Sequence, residues 1–396
     1  MTISRLKTKL AMKLLIAAFS FNAYATQAGE QFILKACLLD ELNTNVQVLA
    51  KAGDYRLVEM TLDDALQARI HRQQAKCGKL MNVSRYYKPA AGKMGNAARL
   101  LNAWMKEKSS LRPLHFAINH PSQVKPEIAR VDADKIWQNA EHLTQYRNRS
   151  AQTKLGVLAA QWYKETFDQM AKMANRVDVA SYYVQTGKYK QPSVVTVIGK
   201  DLPGEAVVIG AHIDTFGGNM PGADDDASGI TVTQEIARVL LTSELSLKNP
   251  VYLIAYAAEE RGLVGSGYVV DDFLKKKTPV KAVMQLDQAG YRANPKDKTI
   301  WLLTDYVDKS LTAFAAELLT YYVKVPVSYT RCGYACSDHA VWHQQGYPAL
   351  YPSATTLDDD NPYVHTAEDR LEIINLEHMV HFAKLGLAFA IELSLD

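Results

Sequence analysis

Five short, almost wholly apolar runs alternate with helix-like stretches through the second half of the chain, and this pattern limits the fold more than any other feature. The runs are residues 194–198, 206–213, 251–257, 282–286 and 299–303. Between or after them lie amphipathic stretches at 230–241, 266–276, 311–323 and 376–393, and two more, 134–147 and 155–175, come before. Strands apolar on both faces must be covered on both sides. The pattern therefore predicts an α/β fold with a mostly parallel central sheet flanked by helices on both faces. In such sheets ligands gather beyond the carboxyl ends of the strands, so the residues at those ends deserve the closest reading.

The beginning of the chain reads as an export signal. Arg5, Lys7, Lys9 and Lys13 are followed by an apolar run at 14–21 and by Ala23-Tyr24-Ala25, a small-residue cleavage pattern. Residues 1–25 are expected to be removed, leaving a secreted or periplasmic chain that begins near Thr26; an N-terminal anchor is the alternative. The run is too short to span a bilayer and no later stretch holds about 18 consecutive apolar residues, so no membrane anchor is expected after cleavage. With 45 basic against 42 acidic residues and a net charge of +3, nothing argues for a nucleic-acid partner. Lys275, Lys276 and Lys277 read as a solvated helix end.

Export permits disulfides. Four cysteines allow three pairings, of which Cys37 with Cys77 and Cys332 with Cys336 keeps each bridge within one region. A zinc site built on Cys332 and Cys336 competes, but it needs two further ligands nearby. So small a loop contributes only roughly 2 kcal/mol, so its bridge would chiefly fix the shape of the turn. Residues 26 to about 115 look like a small α+β segment, strand-like at Phe32-Ile33-Leu34 and helix-like over 62–74. Arg72, Lys76 and Lys79 read there as solvated surface. Pro113, Pro121 and Pro126 mark the boundary to a main domain at 116–396.

The strand ends are rich in metal-ligand chemistry. One delivers Ala211-His212-Ile213-Asp214, another Glu259-Glu260 and a third Asp287. An acidic turn, Pro221 to Gly229 with Asp224, Asp225 and Asp226 at its centre, precedes a helix, and His365 follows much later. Each alone has a plain explanation as a cap or surface turn. Together, carboxylates converging without a cation would raise one another's pKa values. A divalent metal resolves this, and imidazole with carboxylate points to zinc.

From about Pro126 onward the chain resembles the secreted bacterial leucyl aminopeptidases. These are co-catalytic dizinc exopeptidases related to glutamate carboxypeptidase and the transferrin receptor ectodomain. The resemblance rests on Gly210-Ala211-His212-Ile213-Asp214, Pro221 to Gly229, Ala255 to Leu263 through Glu259-Glu260-Arg261-Gly262, and Cys332-Gly333-Tyr334-Ala335-Cys336-Ser337-Asp338-His339. It implies two Zn2+ ions, one held by His212 and Asp287 and the other by Glu260 and His365, with Asp225 bridging them; Asp224 and Asp226 are the alternative bridges. The peptide bond after the bridging Asp is usually cis in this family. Asp214 resembles the carboxylate that orients the ring of His212. Three ligand carboxylates and a bridging hydroxide would balance the metals, about 3.5–4 Å apart.

Glu259 is expected to diverge from Glu260 on an extended segment, to take the proton of the bridging water, and to pass it to the leaving amine. Tyr334 resembles a family tyrosine that stabilises the oxyanion, with simple loop packing as the equal alternative. Ser337, Asp338 and His339 read as structural, and His115, His142, His343 and His381 as ordinary.

The resemblance also implies peptide substrates with free N-termini, a substrate pocket, and a pro-region that covers the site until removed. Counting from the motifs, Gln288, Ser353 and Asp360 stand where leucine-selective relatives carry Met, Phe and Tyr. Leu303, Leu357 and Val364 form the apolar wall, beside Cys332 and Cys336. Asp360, with Asp358 and Asp359 nearby, would accept a lysine or arginine side chain, or else lies in a solvated acidic loop. Residues 26–115 match the pro-region in position, with a permanent accessory domain as the other reading. A single-zinc glutaminyl cyclase, a carboxypeptidase and a non-catalytic receptor-like module share the fold. The complete set His212, Asp225, Glu259, Glu260, Asp287 and His365 favours the dizinc enzyme.

Overall fold

The computed structural model describes residues 29–42, 46–88, 93–106 and 115–396; the expected export signal lies outside them. A six-stranded sheet runs in the order Ala349–Leu350, Val280–Gln285, Ala206–His212, Val251–Tyr256, Ser193–Ile198, Val179–Val184. The first four strands are parallel. Ser193–Ile198 pairs antiparallel with Val251–Tyr256, and Val179–Val184 antiparallel with Ser193–Ile198.

Alternation along each strand feeds two cores. Val207, Ile209 and Ala211 join Val251, Leu253 and Ala255 in one, which the helices Lys154–Met173, Gly229–Leu241 and Leu376–Leu395 close. Ala206, Val208, Ile254 and Tyr256 enter the other, under the helices Val264–Lys276 and His339–Gln344. Asp132, Thr153 and Asn375 cap their helices by accepting backbone N–H groups of the first turn. The helix Leu376–Leu395 is long and apolar enough to cross a membrane by composition, yet 83% of that window is buried inside the fold.

Two expectations need correction, those for residues 299–303 and for Lys79. Residues 299–303 do not belong to the central sheet. The edge beside Val280–Gln285 is taken by Ala349–Leu350, so Ile300–Leu303 instead pairs with Val327–Thr330 and Pro352–Ser353 in a separate three-stranded sheet. The proline-punctuated passage contains a helix, Pro121–Ile128. Pro121 opens it where no intrahelical donor is required, and Pro126 forfeits one bond. Lys79 is not on a solvated surface; its side chain is 12% exposed and faces Glu259.

Toward the N-terminus, a four-stranded antiparallel sheet runs in the order Gln47–Ala52, Tyr55–Met60, Glu30–Lys35, Met81–Asn82. Cys37 is bonded to Cys77. Leu57, Met81 and Trp104 from this segment share the second core of the main sheet.

Candidate metal centre

The main-sheet strands release their chains at one edge, and the acidic and histidine-bearing segments meet there. His212 is the last residue of Ala206–His212. Asp225 sits in the turn Ala223–Ser228 before the helix Gly229–Leu241, and its peptide bond to Asp226 is cis. After Val251–Tyr256 the chain enters a single helical turn, Glu259–Arg261, through Ala258 at φ 54°, and leaves it through Gly262 at φ 94°. The two glutamates therefore stand on a turn rather than the extended segment expected, but they still diverge. Asp287 follows Val280–Gln285, and His365 comes from a turn at φ 59°.

Asp225 joins the two halves of the cluster. Its Oδ1 lies 2.7 Å from His212 Nε2 and its Oδ2 lies 2.8 Å from His365 Nε2. His212 Nε2 is also 3.5 Å from Asp287 Oδ1, and His365 Nε2 is 3.1 Å from Glu260 Oε2. The neighbouring acids are engaged elsewhere. Asp226 accepts the backbone N–H groups of His212 and Gly229, at 3.1 and 2.8 Å. Asp224 accepts those of Gly290 and Tyr291, at 2.9 and 2.8 Å. Asp224 also accepts from the Asn361 side-chain amide, and Asp226 comes within 4.8 Å of His212 and Asp287, but neither pairs with both histidines as Asp225 does.

The surroundings hold these groups in place. Asp369, which sequence reading missed, accepts the N–H groups of Asp224 and Asp225 at 2.9 and 3.0 Å. Arg149, fully buried, donates to the carbonyls of Ile213, Pro221 and Gly222, tying the His212 loop to the acidic turn. Ser337 donates to Asp287 at 2.5 Å, the structural role expected of it. Asp214 approaches the His212 ring through its carbonyl, 3.1 Å from Nδ1, with its carboxylate oxygen farther off at 3.7 Å. That carboxylate accepts the backbone N–H groups of Glu259 and Glu260 instead.

Several inward-facing atoms are buried without a well-formed hydrogen bond, and their only near neighbours are one another: Asp225 Oδ2 and Glu260 Oε2 around His365 Nε2, and Asp287 Oδ1 beside His212. Orphaned buried carboxylates are costly unless a cation meets them. Burial opposes ionisation of Asp225, but the His365 and His212 rings hold its carboxyl well below the usual range. Burial likewise opposes a charge on His365, yet Glu260 and Asp225 raise it to about 10. Each ring thus holds a proton where a metal ion would bind in its place. The nitrogen and oxygen donors suit zinc.

Glu259 faces the same space but touches none of these histidines. Burial pushes its carboxyl well above the usual range, and Lys79 Nζ lies 3.5 Å from its Oε1. Tyr334 is 5% exposed beside Cys336, which is bonded to Cys332. The Tyr334 hydroxyl accepts from Gln74 at 3.2 Å. The adjacent cavity is lined by Gln288, Leu303, Cys332, Cys336, Ser353, Leu357 and Asp360, with Gln74 and Lys79 added from the N-terminal segment. Val364 is not among the lining residues; His365 turns inward at φ 59°, and its neighbour diverges from it.

Residues 193–390 match the model of peptidase family M28. Leucine aminopeptidase 1 of Penicillium rubens is 33% identical over 302 residues, spanning 72% of this chain and 78% of its own. Among solved structures, LapB from Legionella pneumophila is 55% identical with a TM-score of 0.88, over 93% of this chain and all of that one (100%). The LapA aminopeptidase of the same organism is 43% identical with a TM-score of 0.87, over 93% and 98%.

Proposed function

As a member of peptidase family M28, to which this chain belongs, the protein is a metalloaminopeptidase, and we propose that it is an exported dizinc enzyme that removes single residues from free peptide N-termini. His212 and Asp287 would hold one zinc, Glu260 and His365 the other, and Asp225 both. The reading is carried by Asp225, whose two oxygens face the two histidines at 2.7 and 2.8 Å. Bound zinc would supply Lewis acidity to the scissile carbonyl and lower the pKa of water.

The chain's own groups supply the proton transfers. Glu259 takes the proton of the attacking water at a carboxylate oxygen and returns it to the leaving amine. Burial raises its carboxyl above the usual range, which favours holding the proton between the two transfers. The Tyr334 hydroxyl donates to the oxygen that gains charge in the tetrahedral state. Removing metal with a chelator should abolish turnover, and restoring two equivalents of zinc should return it. Full activity in the metal-free protein would end this reading.

The preference is proposed to include lysine and arginine. It is supported by Asp360, whose carboxylate lines the cavity beside Gln288 and Ser353. Comparing lysyl, arginyl and leucyl chromogenic amides tests this; a strong preference for leucine over both basic substrates would refute it.

Residues 26–115 are proposed to be a pro-region removed after export, which the disulfides permit. The reading is supported by Lys79 beside Glu259 and by Gln67, whose side-chain amide donates to the Glu260 carbonyl. N-terminal sequencing of the active secreted protein tests it. An active enzyme still beginning near Thr26 would speak for a permanent accessory domain.

A further inference from the structure

The helix Asp64–Arg72 carries a histidine that none of the assignments above uses. It begins at Asp63, whose side chain accepts the Leu66 N–H at 2.7 Å. Gln67, Ile70 and His71 recur at the spacing that places them on one face, which lines a cavity with Glu259 and Glu260, and Gln74 follows just beyond the helix end. Gln67 holds the Glu260 carbonyl and Gln74 holds Tyr334. Between these two anchors lies His71. A ligand atom of its ring, one of Glu260 and one of His365 all lie within 4.8 Å of one another. The ring packs against that of His365, with centroids 3.9 Å apart, and against Phe216 at 3.8 Å. Its Nδ1 is 3.1 Å from Gln74 Oε1. A proton shared there leaves the Nε2 lone pair free for a cation, the arrangement that fixes the tautomer of ligating histidines.

We propose that His71 is an additional ligand of the Glu260–His365 metal in the full-length chain, clasping the N-terminal segment onto the catalytic centre. The proposal rests on the metal-centre reading given above. Its physical basis is the coordination count. Catalytic zinc keeps one position open for water or substrate, whereas zinc with four protein ligands is closed and structural. Glu260, His365 and the shared Asp225 leave one position open. His71 fills it and turns a catalytic site into a closed one. Lys79, 3.5 Å from Glu259, engages the base at the same time. The segment is thus held at the reacting atoms themselves, and removing it would free both the coordination position and the base.

The test measures zinc release from the full-length chain to a chromogenic chelator, in the wild type, His71→Ala and His71→Phe. The phenylalanine variant keeps a ring against Phe216 and His365 but cannot bind metal. Both variants are expected to release one of two zinc ions at least about tenfold faster, a loss that even outer partners of a metal ligand produce. Peptidase activity of the uncleaved chain should rise in both. Equal release from wild type and both variants would overturn the proposal, as would wild-type retention in His71→Phe alone, which would make the ring a packing element. A wild-type chain that binds no zinc would instead overturn the metal-centre reading itself.

Discussion

The carboxylate of Asp214 accepts the backbone N–H of Glu259 at 2.9 Å, and its second oxygen accepts that of Glu260 at 3.3 Å. The residue two places after His212 therefore sets the position of both glutamates. Asp214→Ala would leave two buried N–H groups unpaired, at a cost of about 1–3 kcal/mol each. We expect a lower thermal midpoint together with weaker zinc retention. A variant with unchanged retention would show that Asp214 does not position the ligands.

The bridge and the terminal ligands should separate by metal count. Asp225→Ala is expected to lose both zinc ions, because both halves of the cluster depend on it. His365→Ala should keep the ion held by His212 and Asp287. Elemental analysis of the purified variants gives the counts; one zinc retained in Asp225→Ala would move the bridge to Asp224 or Asp226.

Tyr334→Phe removes one hydroxyl from a ring that is otherwise packed against Leu303, Cys336 and Tyr351. If it donates to the oxyanion, kcat falls roughly a hundredfold while KM changes little. An unchanged kcat would assign the residue to loop packing.

Burial pushes the Asp360 carboxyl up to about 7. Its ionised fraction therefore rises as pH climbs through neutrality, and a charged partner for lysine or arginine rises with it. The ratio of lysyl to leucyl turnover should increase between roughly pH 6 and pH 8. In Asp360→Asn the ratio should be flat and at least about tenfold lower above pH 8. A ratio that ignores both pH and the substitution would remove Asp360 from specificity.

Much of the centre could be read in the sequence because its chemistry sits at strand ends. Apolar runs announce Ala206–His212, Val251–Tyr256 and Val280–Gln285, and polar residues that interrupt such runs fall at the ligand edge of the sheet. His71 and Lys79 were hidden for the opposite reason. A histidine on an amphipathic helix, or a cation in the loop that follows, looks solvated until a distant segment packs over it, and only the fold brings Lys79 to Glu259 across 180 residues of chain. Asp369 and Arg149 likewise act on backbone groups far away in sequence, which no local pattern encodes. The displacement of Ile300–Leu303 from the main sheet depended on which strand took the free edge, and two residues, Ala349–Leu350, were too short to announce it.

The most direct measurement is zinc content and turnover together in Glu259→Ala, with the wild-type enzyme beside it. Glu259 is assigned as a base that binds no metal. The variant is therefore expected to keep two zinc ions per chain while turnover drops by at least about a hundredfold. Loss of the metals along with activity would make Glu259 a ligand, and retained turnover would leave the reaction without the base assigned here.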